Sequence, residues 1–463
     1  MTPASAGDLR LSEIVGALTY ALDITEGQPE GHSLRVALIG MAIGAHLDLD
    51  PWQLSDLYYA LLLKDLGCSS NAARVATSFG SDDLKVKHAF RLVDVGRPSE
   101  SLPFVLRNAG MATSPLRKVL HAVDVSLRRG GGQQELTRIR CERGADIARE
   151  LGFREGTYEA IRSLDEHWDG RGHPYGLAGE AIPLYARILL IAQTVEVFWA
   201  AHGREVAVAT VERRSGRWFD PRIVAAFQSV QSRGGFWSEV EDEAGLAEHV
   251  AALEPAELTL QADEAMLDRV AEAFARVIDA KSPWTFRHSE RVRTLALGIS
   301  RQLGLSEDRQ HVLSRAALLH DIGKLGVPNT ILDKPGRLDE AEFARIRRHP
   351  ADSERILKRV APFRVFAELA GAHHERLDGS GYHRGRTGDE LSLEARILTT
   401  ADPFEALTAD RPYRAGLSAT DALELLRRDG GTQLDAGCVD ALATFVASEE
   451  GQRLIAEGRL QPA

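Results

Sequence analysis

At 463 residues the chain is too long for one hydrophobic core and suits two or three domains. Hydrophobic residues make up 44% and charged residues 27%, as in an ordinary globular protein, and the net charge of −11 argues against a general binder of nucleic-acid polymers. Met1 to Gly16 has no basic region followed by a long apolar core, and no later segment offers ~18 uninterrupted apolar residues, so neither export nor membrane insertion is expected. Three scattered cysteines, Cys68, Cys141 and Cys438, suggest neither a disulfide framework nor a thiolate cage, and the chain reads as cytoplasmic.

In chain order, Leu11 to Ala21 opens the first half, and a longer helix from Gly31 to Leu47 places Val36, Ile39 and Ile43 on one face with His32 a turn earlier. Leu57 to Leu66 predicts another apolar helix. From Cys68 to Thr137 the prolines and the run Arg128 to Gly132 predict a surface insertion, partly helical and partly flexible. Asp165 to Tyr175 is a glycine-rich loop, followed by a helical run from Leu184 to Trp199.

The second half repeats the first. Asp169-Gly170 falls on Asp378-Gly379, Ala186 to Leu189 on Ala395 to Leu398, and His32 to Val36 on His288 to Val292. A repeat of this length predicts two homologous domains. We place them at 1–236, with an insertion at about 69–137, and at 261–463. The acidic, Ala-rich stretch 237–260 is the expected linker.

In the second copy, helix Ala262 to Ala280 precedes one whose buried stripe is Val292, Leu295, Ile299 and Leu303, with His288 on the same stripe. The helix after Arg309 carries His320 and Asp321 inward. His349 is expected to end a helix over Glu340 to Arg348, stopped by Pro350. His373 and His374 are read as adjacent helical residues, which would point about 100° apart and so serve two neighbouring ions better than one. With Asp402 the ligand-type residues number seven: His288, His320, Asp321, His349, His373, His374 and Asp402. Imidazole and carboxylate donors without thiolate suit Mn, Fe, Ni or Zn, and a pair of ions held a few ångströms apart suits phosphoryl displacement. Asp402 also reads as a helix N-cap, with Pro403 at the first helical position and Glu405 completing a capping box.

His320-Asp321-Ile322-Gly323-Lys324, His349-Pro350, His373 to Tyr382 and Asp410-Arg411-Pro412-Tyr413-Arg414 together resemble an HD-GYP domain, a branch of the HD superfamily of metal-dependent phosphohydrolases. The resemblance covers about residues 262 to 448. It implies an all-α fold of tandem HD-type domains and hydrolysis of a cyclic dinucleotide, cyclic di-GMP first. It makes the seven residues metal ligands, Asp321 and Lys324 catalytic, and Lys324, Tyr382, Arg411 and Arg414 contacts to the nucleotide. Gly381-Tyr382-His383 departs from the family's Gly-Tyr-Pro. Trp284 stands where some members carry a glutamate for a third metal, so two divalent ions, Mn or Fe ahead of Ni or Zn, and a linear product are expected.

The first copy has lost this chemistry. His320 corresponds to Lys64, His349 to about Arg140, His373-His374 to Leu164-Asp165, and Asp402 to Gln193, leaving His32 and Asp65. Lysine and arginine offer a metal no lone pair. His167 and His173 are read as loop residues. This half is expected to be structural or regulatory, docking on the second half, a second subunit or a signalling partner. The alternatives are a catalytically silent cyclic-dinucleotide-binding or scaffolding protein and an HD hydrolase for another nucleotide.

Overall fold

The structure is a computed structural model that describes residues 10–94, 97–108, 129–410 and 415–458. It is all-α: among the described residues the only extended pairings are isolated bridges. Two compact units divide between Leu267 and Asp268.

The units repeat one element order. The first carries helices His32–His46, Pro51–Leu63, Glu155–Arg162, Leu184–His202 and Pro221–Gln231; the second carries His288–Gln302, Glu307–Leu319, Arg364–Gly371, Leu393–Thr408 and Ala436–Ala447. The bridges repeat too, Asp169 with Ala178 against Asp378 with Thr387, and Ser215 with Phe219 against Gly430 with Leu434. Side-chain caps start several of these helices: Asp50 accepts from Gln53 N ahead of Pro51, and Ser392 and Asp435 accept from Ala395 N and Cys438 N.

In the second unit Val292, Leu295 and Ile299 pack with Leu313, Ala317, Ile397, Phe404, Leu442 and Phe445, and Leu303 lies at the margin of this core. Gly298 lets the His288 helix approach its neighbour, since a Cβ there would lie 2.4 Å from the Phe445 ring.

The described part of the insertion holds helices Ala72–Phe79, Asp83–Arg91 and Pro98–Asn108, which bury Val75, Val86, Phe104 and Val105 in a small core of their own. Residues 237–260, expected as a linker, form helices Phe236–Glu241 and Leu246–Ala252 that bury Leu246 and Val250. Glu254 then accepts hydrogen bonds from Ser12 and Tyr59, so this stretch is tied to the first unit. Helix Leu184–His202 is long and apolar enough to cross a membrane by length and composition, and 67% of its apolar window is buried inside the protein, as in a core helix.

Candidate metal centre

Local structure brings the seven residues of the second unit together. His288 opens its helix, His320 caps the end of Glu307–Leu319, and Asp321 precedes the short 3-10 turn Ile322–Gly326. Gly323 allows that turn to lie against the next element, because a Cβ would come within 2.1 Å of the His349 carbonyl oxygen. The contact is fastened by Ser353, whose Oγ accepts from Gly323 N at 2.9 Å and donates to His320 O at 2.6 Å.

Three backbone expectations are corrected. His349 begins helix His349–Arg359 instead of ending one, and Pro350 sits in the first turn, where its missing N–H costs no hydrogen bond. His373 and His374 lie in a turn beyond helix Arg364–Gly371, and their ring centroids are 4.3 Å apart. The turn brings both imidazoles to His349 in one group, so they are not divided between two sites. Asp402 is no N-cap: its helix runs Leu393–Thr408 from the Ser392 cap, with Pro403 inside it.

The donor atoms form two groups around one carboxylate. Asp321 Oδ2 lies 3.5 Å from His288 Nε2 and 3.4 Å from His320 Nε2, and Asp402 Oδ1 lies 3.5 and 3.8 Å from the same nitrogens. Asp321 Oδ1 faces the other way, 3.3 Å from His349 Nε2 and 3.6 Å from His373 Nε2. Donors bound to one ion at ~2.1 Å stand roughly 3 to 3.5 Å apart, so both groups fit an ion with little adjustment.

Hydrogen bonding supports the fit. The Nδ1 atoms of His320, His349 and His373 face the carbonyls of Ala317, Ile346 and Ala370 at 2.8, 2.6 and 2.6 Å. A carbonyl only accepts, so each Nδ1 carries the proton and each Nε2 presents a lone pair. His349 Nε2 and His373 Nε2 therefore face each other, lone pair to lone pair, at 2.9 Å, an arrangement that a shared cation relieves. His288 Nε2, His320 Nε2 and Asp321 Oδ1 are buried without a hydrogen-bond partner among the described residues. Such orphaned atoms are costly unless a ligand takes them.

Electrostatics agree. Burial holds His373 well below the usual imidazole value, lowers His349 and pushes His374 down to about 3, which keeps these rings neutral. Burial alone would raise Asp321, but His320 and Lys324 outweigh it and hold its carboxyl well below the usual range. His288 is opposite in sense: burial would discharge it, yet Glu405 and Asp321 push it up to about 10. Carboxylates that hold a proton there would equally hold a cation, which must displace that proton to use the nitrogen.

Glu405 is the functional neighbour that sequence reasoning missed. Its Oε2 lies 2.5 Å from His288 Nδ1 and its Oε1 3.3 Å from Arg291, which fixes the ring that faces the centre. The signal was present, since Glu405 lies on the same helical face as Asp402 one turn away, but it had been read as part of a capping box.

Of the expected nucleotide contacts, Lys324 Nζ lies 2.6 Å from Asp321 Oδ2, and the half-buried Tyr382 has its ring 4.8 Å from that of His374. The Tyr382 loop is held by Glu375, which accepts from Arg384 N and Arg386 N at 2.7 and 2.9 Å. Gly381 is needed there because a Cβ would lie 2.4 Å from Glu375 Cα. Arg411 and Arg414 lie outside the described residues.

The first unit keeps the frame and replaces the centre. His32 Nδ1 pairs with Glu196, which also accepts from Arg35, as His288 does with Glu405. Where His320 would be, Lys64 places its ammonium 3.1 Å from His32 Nε2 and against Asp65. Arg91 completes the neutralisation, 3.1 Å from Asp65 and 2.6 Å from Glu26, and Arg140 pairs with Asp165. Glu26, Asp65 and Cys68 cluster closely enough to hold an ion, yet these internal cations already occupy the carboxylates. His167 lies in the expected loop, half-buried, and stacks on Trp218 at 4.0 Å as a packing residue.

The HD domain family model matches residues 125–223 and 272–437. Over 93% of its length the chain is 46% identical to 94% of the 3'3'-cGAMP-specific phosphodiesterase 3 of Vibrio cholerae serotype O1. It is 39% identical to the same organism's 3'3'-cGAMP-specific phosphodiesterase 1 over 47% of this chain and 51% of that one. It is also 41% identical to the cyclic di-GMP phosphodiesterase response regulator RpfG of Xanthomonas campestris over 36% of this chain and 45% of that one. A crystal structure of a cyclic GMP-AMP specific phosphodiesterase from V. cholerae matches with a TM-score of 0.63 at 41% identity, over 98% of both chains. The chain belongs to the HD-domain family of metal-dependent phosphohydrolases, in its HD-GYP branch, with a degenerate HD-type copy in its first half.

Proposed function

We propose that the second unit hydrolyses one phosphodiester of a cyclic dinucleotide, with 3'3'-cGAMP preferred over cyclic di-GMP. The observation that carries the reaction class is Asp321, whose two carboxylate oxygens each face a separate group of imidazole nitrogens. The substrate choice departs from the cyclic di-GMP expected on sequence, because the relative matched along nearly the whole chain is specific for 3'3'-cGAMP.

His288, His320, Asp402 and Asp321 Oδ2 would hold one ion, and His349, His373, His374 and Asp321 Oδ1 the other. When bound, two such ions supply Lewis acidity toward the scissile phosphate and acidify water that attacks it. The protein's own groups do the rest. Lys324 brings a fixed positive charge to the carboxylate edge, where it neutralises charge growing on a non-bridging oxygen. Tyr382, seated on His374, helps seat the nucleotide. Arg411 and Arg414 are proposed as further phosphate contacts. The first unit is proposed as a regulatory or docking domain without metal.

The test is chromatography of metal-reconstituted protein incubated separately with each dinucleotide. The linear dinucleotide should accumulate, faster from 3'3'-cGAMP. Equal or faster opening of cyclic di-GMP would overturn the substrate choice, and no opening of any cyclic dinucleotide would overturn the reaction.

A further inference from the structure

Helix Glu340–Ile346 buries none of its side chains, and Phe343 on it stands 47% exposed. Arg347, which ends that helix, lays its guanidinium over two aromatic rings, 5.7 Å from the centroid of Phe343 and 4.7 Å from that of Tyr382. Tyr382 in turn lies 4.8 Å from His374. A continuous stack of side chains therefore runs from the exposed helix to the donor groups, with a positive charge in the middle.

That charge has no acidic partner among the described residues, unlike several other basic side chains of the same unit. Arg384 and Lys358 pair with Glu354, Arg355 with Asp352, and Arg386 with Glu368. An arginine stacked on a ring has its planar fork fixed, so that its N–H edge is pre-organised for a bidentate anion at small entropic cost. The surroundings favour an anion of phosphate type: Lys324 adds a second positive charge at the donor groups, on Asp321, and the outward neighbour, Phe343, is apolar and attracts no competing carboxylate.

A cyclic dinucleotide carries two phosphates in one ring, and only one of them can lie on the donor groups at a time. We infer that Arg347, held over Tyr382, binds the phosphate that is not cleaved and so selects cyclic dinucleotides over simple phosphodiesters. This rests on the cyclic-dinucleotide reading above and identifies the residue that distinguishes that substrate class.

The experiment compares kcat/KM for the cyclic dinucleotide with kcat/KM for bis(4-nitrophenyl) phosphate, which has one phosphate only, using metal-reconstituted full-length protein. Arg347→Ala should lower the ratio of the two by roughly tenfold or more through a raised KM for the dinucleotide, the cost of one charged bidentate contact. Arg347→Lys should recover only part of the ratio. Wild-type turnover of both substrates with the ratio unchanged in Arg347→Ala would overturn the inference alone. Wild-type turnover of bis(4-nitrophenyl) phosphate with none of any cyclic dinucleotide would overturn the reading beneath it as well. Elemental analysis of Arg347→Ala separates a contact to substrate from a disturbed centre: metal content equal to wild type is required, and lost metal counts against the inference.

Discussion

Asp321 turns one oxygen to each histidine group, and in the proposed centre its removal would take an anionic donor from both at once. Two cations a few ångströms apart without that charge between them repel strongly. Elemental analysis of purified full-length protein should find about two transition-metal ions per chain, none after Asp321→Ala and about one after His374→Ala. One ion retained by Asp321→Ala would show that the carboxylate does not bridge. The seven residues that the fold gathers were legible in the sequence because histidine and aspartate advertise their chemistry wherever they stand. Glu405 was not, because its role depends on His288, a partner 117 positions away, while its near neighbours spelled a helix cap. The pairing of His373 with His374 was misread for a related reason: a helix and a turn can carry the same two letters, and only the backbone decides where the second ring points.

Helix starts carry the next level of control. Asp279 ends the helix before His288 and accepts from Ser289 N and Oγ, the latter at 2.7 Å, and Asp23 does the same for Ser33 in the first unit. Burial dominates both carboxyls, raising Asp279 from 3.8 to about 7 and Asp23 to about 6 despite the hydrogen bonds they accept. A carboxyl whose folded value is raised favours the fold in its protonated form. That contribution is complete below pH 3.8 and is lost as pH rises through about 7 for Asp279 and about 6 for Asp23. Denaturant unfolding of chelated protein should show Asp279→Asn flattening the decline in stability between about pH 4 and pH 7. An unchanged decline would mean that Asp279 is ionised throughout. Helical periodicity revealed these elements but not their joints. Pro350 was read as a stop and serves as a start, and Gly323 was visible only as a letter of the His320 to Lys324 motif although it sets how closely the His349 helix can approach Asp321.

At the scale of the chain, the repeat was the strongest signal in the sequence, and every paired helix and bridge of the two units follows it. The boundary was less legible. Acidic, Ala-rich composition marks residues 237–260 as a linker, whereas the ties from Ser12 and Tyr59 to Glu254 depend on residues about two hundred positions earlier. The ammonium of Lys64 has a further consequence. A dissociable ion stabilises a fold only in proportion to its free concentration, whereas a charge on a side chain has an effective concentration that no competing chelator can lower. The two copies of one ancestral frame thus answer differently to metal scarcity. Calorimetry of the full chain should show chelation pulling one transition to lower temperature while another stays in place; a lone transition that shifts as a whole would contradict this. Under starvation for its metal the protein would fall silent in one half and keep its shape in the other, a reversible pause in place of loss of the molecule.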